Sequence, residues 1–427
     1  MRLGRQTPVR NAKPTSRLGI RQVLAVPAYR RLWTARTVSQ WGDTFNFVAL
    51  ALLVYQLTGS GLGVTGVVVA EIVAVLLVAP VAGPLIDRLP GVRAMVLADL
   101  VRAILCGVLA VAHTQVAIVY AVAFGLSAGS AVFNPAAGSL LPALVKPQEL
   151  LAANSGIWTA AVLSQIALAP LAGLLVTTAG VGIAFGINAV SFIVSAALLR
   201  GLRRPRPPAP VRRRRLVIEA RQGLRLVLTD RLLRALAAGQ LLAALSAGAT
   251  SALLVVLARR HLHLAASGYG LLIGAIGVGA ALGPLALLRL VPDPGRRAFV
   301  FGPYVLRGLV DLLLAVSTAL PLAVASLVLY GLGTSTGAVT FNSLLQAHAP
   351  EVLRGRVFAT MDVIWQAGRL ASLGLGGYLA DRFGISVVYY LGGVLLLLAA
   401  GAGLLGAEGD DPPARAGPRR RPSPTVY

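Results

Sequence analysis

Charge is thin in this 427-residue sequence, and negative charge thinner still: 13% of residues are charged, 39 of them Lys or Arg and 15 Asp or Glu. Soluble domains carry about a quarter charged residues, so too few polar groups remain to cover a water-facing surface. Cysteine is nearly absent. Cys106 stands alone, which excludes an intrachain disulfide. The four histidines, His113, His261, His263 and His348, fall in or near loops and show no metal-ligand spacing with carboxylates or Cys, so no metal site is expected. No Gly-x4-Gly-Lys-Ser/Thr phosphate loop occurs, which argues against ATP-driven work by this chain. No nucleophile–base set stands out, so an enzyme is not expected. Residues 1–32 are basic and lack an apolar core, so they do not read as a cleavable signal peptide.

What is plentiful is apolar sequence. Hydrophobic residues make up 56% of the chain and glycine supplies 47 residues, with a mean hydropathy of +0.78. Crossing ~30 Å of hydrocarbon takes about 20 helical residues. Stretches of that length predict twelve transmembrane helices at 36–57, 63–86, 94–112, 116–141, 154–178, 181–200, 232–258, 267–289, 298–317, 320–346, 357–380 and 385–406. The expected fold class is therefore an all-α polytopic membrane protein. Basic residues orient it. With the N-terminus inside, 33 of the 39 Lys and Arg fall in cytoplasmic segments, among them nine in 1–36 and twelve in 200–234. Both termini are thus expected in the cytoplasm. The same distribution assigns the basic runs Arg212–Arg215 and Arg419–Arg421 to anionic lipid rather than nucleic acid.

Organisation follows from composition: a basic cytoplasmic segment at 1–32, a six-helix bundle at 33–200, a basic cytoplasmic linker at 201–231, a second six-helix bundle at 232–406 and a disordered tail at 407–427. Within the linker, 203–210 is proline-rich and reads as extended. Residues 216–234 read as a basic amphipathic helix on the inner leaflet. The bundles repeat each other at an offset near 200: Gln40 with Gln240, Gly83-Pro84-Leu85 with Gly283-Pro284-Leu285, Ser139-Leu140-Leu141 with Ser343-Leu344-Leu345, and Gly173, Leu175 and Gly180 with Gly377, Leu379 and Gly384. Parallel six-helix repeats joined by a long inner loop are the layout of a rocker-type transporter.

Between spans 2 and 3 stands Gly83-Pro-Leu-Ile-Asp87-Arg88-Leu-Pro-Gly91-Val-Arg93, with Asp99 and Arg102 following on span 3. This string resembles the G-x-L-x-D-R-x-G-R-x motif of the major facilitator superfamily, with one extra residue before the glycine. The resemblance runs from Leu32 to Leu405. Gly42-Asp43, Phe133-Asn134-Pro135 and Arg354-Gly355-Arg356-Val357 look most like the drug:proton antiporter branch that includes macrolide and siderophore exporters. In the fifth-span antiporter motif Pro170 and Gly173 are present, while Ala169 and Ala172 replace glycines. The resemblance implies two pseudo-symmetric bundles, alternating access, no cofactor and a proton gradient as the energy source.

Charges inside spans are costly, about 2.5–3.5 kcal/mol each on insertion scales, and mark function. Asp43, ~10 Å from the inner edge of span 1, and Glu71, ~12 Å from the outer edge of span 2, are the first candidates for proton coupling. Asp362 is a third, with a helix-start role as its alternative. Asp311 can be neutralised by Arg307, four residues earlier on its helix. Arg369 lies ~15 Å below the outer surface, at nearly the depth of Glu71. It is expected to pair with Glu71, or within its own half with Asp311 or Asp362. Asp87 is read as the acceptor of an inner latch, with Gly83, Arg88, Gly91 and Arg93 shaping the loop and Asp99 and Arg102 as partners. Asn46, Gln165, Gln240 and Gln366, with Trp158 and Trp365, are candidates to line a substrate path. Trp33 reads as an interface anchor.

These features point to proton-driven efflux of a lipophilic or amphipathic small molecule (a drug, antibiotic or siderophore-like compound) through the lipid bilayer. A monomer in the inner membrane of a GC-rich bacterium is expected, the last inferred from Arg outnumbering Lys. A lipid or lysolipid flippase, or a non-transporting sensor or assembly factor, is the alternative.

Overall fold

In the computed structural model, which describes residues 20–88, 91–202, 216–290, 297–351 and 353–406, every regular element is a helix. In chain order these are α1 (Ile20–Leu24), α2 (Pro27–Thr58), α3 (Gly61–Arg88), α4 (Gly91–Val111), α5 (Val116–Leu144), α6 (Leu150–Ala179), α7 (Val181–Arg200), α8 (Leu216–Thr229), α9 (Arg231–Ala252), α10 (Leu254–Val256), α11 (Ala266–Leu290), α12 (Arg297–Val316), α13 (Leu320–His348), α14 (Arg354–Phe383) and α15 (Ile385–Gly406). Eleven of the twelve predicted spans each fall on one long helix, and the seventh, 232–258, runs over α9 and α10 into the turn that follows. Ten helices of the described residues are apolar and long enough to cross a membrane by length and composition. The other two long ones, α2 and α14, reach 32 and 30 residues, but they interleave Gln40, Asp43, Thr44 and Asn46, or Asp362, Gln366, Arg369 and Ser372, with their apolar positions.

Local chemistry explains several boundaries. Asp230 starts α9 as its N-cap, its carboxylate accepting from the Leu233 N–H at 2.8 Å. The amphipathic helix therefore stops at Thr229 rather than continuing to 234. Single residues, Gly180 at φ +84° and Gly384 at φ +90°, join α6 to α7 and α14 to α15. That left-handed backbone is open to glycine at little cost, and both halves of the repeat use it. The seventh predicted span is not one continuous α-helix. It breaks at Leu253 and ends in a π-helical turn, Leu257–His261. The apolar run through this stretch hides the break, because hydropathy is blind to hydrogen-bond register.

The chain folds as two units. The first holds Met1–Phe47, Glu71–Gln165 and Gly180–Pro210; the second holds Val48–Ala70, Ile166–Ala179 and Val211–Tyr427. The core of the first gathers Tyr29, Leu32, Met95, Phe133, Leu140 and Leu199. That of the second gathers Leu233, Phe301, Tyr304, Phe341, Met361 and Leu396, with Val227 of α8 seated in it. Small residues set the closest approaches, as expected where lipid leaves little hydrophobic drive between helices. A Cβ on Gly279 of α11 would lie 1.8 Å from the Val328 carbonyl oxygen of α13, and one on Gly331 of α13 would lie 2.0 Å from that of Ile276 on α11. α8 docks likewise, its Gly223 facing the Arg356 carbonyl of α14.

Candidate functional site

Inside the first unit, four helices bring charge together. On α4, Asp99 and Arg102 are one turn apart and paired, with 0% and 3% exposure. Asp99 also accepts from Ser195 Oγ of α7 at 2.7 Å. The Arg102 guanidinium donates to Ser130 Oγ on α5 at 3.3 Å and lies between two rings, 4.7 Å from Phe133 and 4.3 Å from Phe192. Gly129 makes room for its stem, since a Cβ there would meet Arg102 Cγ at 2.7 Å. Asp43 enters from α2, hydrogen-bonded by Asn188 of α7 and within the electrostatic reach of both Arg102 and Asp99. Gly42 permits this approach: its missing Cβ would sit 2.1 Å from Ser191 Oγ and 2.3 Å from Asn188 Oδ1. Asn188 is itself held by Ser191 Oγ, at 3.1 Å, and lies 3.4 Å from Cys106 Sγ. Two carboxylates thus share one guanidinium, with Asp43 the partly accessible member.

The second unit contains a related but poorer arrangement. Arg307 and Asp311 on α12 are 6% and 1% exposed. Arg307 donates to Tyr330 Oη at 3.0 Å and lies 4.8 Å from that ring. Asp311 accepts from Ser246 Oγ of α9 at 3.4 Å. Gly333 on α13 admits the Arg307 stem as Gly129 admits that of Arg102, with Cγ at 3.0 Å from the position of a Cβ. The internal repeat therefore extends to a buried arginine and its facing glycine. Those glycines were passed over in the sequence, although their offset of 204 positions matches that of Gly173 and Gly377.

The other expected residues are more scattered. Gly91 starts α4 and Arg93 is exposed beside it. Gly83, Asp87 and Arg88 lie on α3 with their side chains outside the described set, and Leu89 and Pro90 lie outside the described residues, as do 203–215 and the terminal segments. Glu71 belongs to the first unit and Arg369 to the second. Asp362 is exposed on α14, in its third turn from Arg354, so it is not a helix-start residue. Trp158 is half exposed on α6, while Trp365 packs against the core of the second unit. Gln165, Gln240 and Gln366 are partly buried. Asn46 is partly buried too, and its Oδ1 has no hydrogen-bond partner among the described residues. Trp33, read as an interface anchor, donates its indole N–H to the Gly156 carbonyl of α6 at 3.1 Å. Two charged residues carry a network the sequence reading missed, Arg260 in the π-helical turn and Asp381 at the end of α14. The signal for Asp381 was present, because Gly377-x-Leu-x-Asp-Arg382 repeats the pattern of Gly83-x-Leu-x-Asp-Arg88.

Residues 22–407 match the model of a family described as a transmembrane secretion effector. No curated protein sequence matches the chain. Among solved structures, the nucleoside transporter NupG superposes with a TM-score of 0.74 at 12% identity, covering 90% of this chain and 100% of its own. A bacterial homologue of the iron transporter ferroportin, in an inward-facing state, gives 0.71 at 18%, covering 89% and 98%. A bacterial homologue of the human lysosomal transporter Spinster, inward-facing and unoccupied, gives 0.70 at 15%, covering 89% and 96%. At such identities the structural likeness speaks to the fold.

Proposed function

Because this chain belongs to the transmembrane secretion effector family of the major facilitator superfamily, and so is a multi-pass secondary transporter working by alternating access rather than an enzyme, we propose that it exports a lipophilic or amphipathic small molecule in exchange for protons. The observation that carries the proton part is the cluster of Asp43, Asp99 and Arg102. One guanidinium compensates one carboxylate, and Asp99 is the one it holds directly. The second carboxylate, Asp43, sits beside them on a different helix. An uncompensated charge in the membrane interior costs several kcal/mol, and a proton removes that cost. When water or substrate reaches Asp43 from one side, the ionised form becomes tolerable again and the proton leaves. Binding and release at one carboxyl, timed by access, is what proton-coupled exchange needs.

The substrate class follows from what the membrane segments offer: amides at Asn46, Gln165, Gln240 and Gln366, indoles at Trp158 and Trp365, and few fixed charges. Such groups suit an apolar body with scattered polar atoms better than a sugar or a phosphate ester. Export, the drug:proton antiporter branch, operation as a monomer and residence in a bacterial inner membrane belong to the same reading. The test is transport in proteoliposomes. Compounds selected by thermal protection should move against their gradient when an inward proton gradient is imposed. Movement of lysolipid alone, indifferent to protonophore, would favour a flippase instead.

A further inference from the structure

The latch string at the inner end of α3 has a second copy at the opposite face of the membrane. Gly377-Tyr-Leu-Ala-Asp381-Arg382 stands at the end of α14, which charge asymmetry places outside, and Gly384 closes it as Gly91 closes the first. The second copy is fully described, and all its contacts lie within the second unit. Asp381 Oδ1 accepts from the Gly61 N–H at 2.7 Å, and Oδ2 accepts from the Leu62 N–H at 3.0 Å and from Ser60 Oγ at 2.5 Å. The Gly61 and Leu62 N–H groups are the first two of α3. A carboxylate some 320 positions away in sequence thus does the work of a local N-cap, with the positive end of the helix facing it.

Two features make this a joint between helices rather than a stray contact. Glycines let the backbones meet: a Cβ on Gly377 would lie 2.4 Å from Thr65 Oγ1 and 3.0 Å from Leu62 Cα, and one on Gly61 would lie 3.2 Å from the Gly377 carbonyl. Arg260 then bridges the joint, 3.5 Å from Asp381, donating to the Gly59 carbonyl and, at 3.1 Å, to Tyr55 Oη. The π-helical turn is what points it there, an irregularity that commonly marks function.

The repeat supplies an internal comparison. The counterpart of Gly377 and Asp381, 204 positions earlier, is Gly173 and Thr177 at the outer end of α6. Thr177 Oγ1 accepts from the Ser267 N–H, among the first of α11, at 3.0 Å. Gly173 meets Gly270 there, a Cβ lying 3.0 Å from Gly270 Cα. Both crossed pairs, α14 with α3 and α6 with α11, are closed the same way, by an oxygen at one helix end taking the first donors of another. One pair uses a carboxylate and an arginine, the other a hydroxyl.

We propose that Asp381 is the latch of the outer gate: it caps α3 while the outer side is closed and lets go when that side opens. The joint suits reversible work. Its donors and its carboxylate sit near the surface, where water can replace each bond on opening, whereas the enclosed Asp99–Arg102 pair could not separate at small cost. The α6–α11 closure, with its neutral hydroxyl, contributes less to holding the gate. Alternating access is then, in part, an exchange between two copies of one motif, Asp87 inside and Asp381 outside.

The experiment needs neither substrate nor proton gradient, so its failure is separable from failure of the proton reading. In a Cys106→Ser background, Thr65→Cys places a thiol behind the latch, where Thr65 is 1% exposed. Ala323→Cys, fully buried at the outer end of α13, reports general loosening. Both are labelled from outside with an impermeant maleimide in proteoliposomes. Asp381→Asn should raise labelling at 65 by about tenfold or more, the scale of losing hydrogen bonds to a charged group, with little change at 323. Arg260→Gln should raise it less, and Thr177→Val least. Unchanged labelling at 65 in both Asp381→Asn and Arg260→Gln would overturn the proposal, as would equal increases at 65 and 323.

Discussion

Replacing Arg102 by Met tests whether the buried cluster is organised around a single cation. The methionine fills much of the space between Phe133 and Phe192 but leaves Asp99 with only the Ser195 hydroxyl, beside Asp43. Removing one partner of a buried ion pair costs about 3–5 kcal/mol, because the other charge stays behind unpaired. Arg102→Lys keeps the charge and loses the flat stacking on two rings, a loss of roughly 0.5–2 kcal/mol per ring. The double variant Asp99→Asn with Arg102→Met removes both charges, and the amide that replaces the carboxylate can still accept from Ser195. It should therefore be less damaged than Arg102→Met alone. Thermal unfolding in detergent, followed by intrinsic fluorescence, ranks the set. The expected order of apparent Tm is wild type, Arg102→Lys, the double variant, then Arg102→Met, the last lower by roughly 5–10 °C. A double-mutant cycle whose two single effects simply add, or an Arg102→Met variant melting with the wild type, would refute the shared-cation picture.

Three further outcomes follow from other parts of the molecule. Desolvation raises the Asp381 carboxyl, but the donors from Leu62, Ser60 and Gly61 and the nearby Arg260 outweigh it and hold its pKa below the ordinary 3.8. A depressed value stabilises the capped form above the free pKa and loses that effect only as pH falls through the depressed one. Labelling at Thr65→Cys, divided by that of a free thiol at the same pH to remove the changing thiolate fraction, should thus be flat from pH 8 to 5, and a step in that range would contradict the capped-carboxylate account. Gly331→Ala should destabilise strongly, since its Cβ would fall 2.0 Å from a backbone oxygen, while Gly107→Ala, facing open space, should melt as the wild type does; equal Tm values would contradict the packing argument. Asp87→Asn should raise thiol labelling from the inner side and leave the outer reporter quiet, the mirror image of Asp381→Asn, whereas an increase on the outer side would break the two-copy scheme.

The helices were legible because burial in lipid imposes one demand, a long apolar stretch, at every span. Their rotation was not, since hydropathy reports depth along the membrane and not which face looks inward. Asp43 was singled out for proton coupling and Asp99 and Arg102 for a latch, as separate devices. The fold gathers all three through Gly42 and Gly129, and the signal for that lay in small residues rather than in charges. Asp381 was missed for a different reason. It lies just past the apolar stretch of its span, where a charge needs no explanation, and only the match to the inner motif distinguished it. The helical break at Leu253 left no mark in composition because leucine and valine suit either register.

The central claim, exchange of an exported molecule for protons through Asp43, is tested most directly by transport in proteoliposomes with an imposed pH gradient. The account predicts that the wild type concentrates a bound lipophilic compound, and that Asp43→Asn still binds it and exchanges it at equal concentrations on both sides but does not concentrate it. Gradient-driven concentration by Asp43→Asn at the wild-type rate would contradict the account.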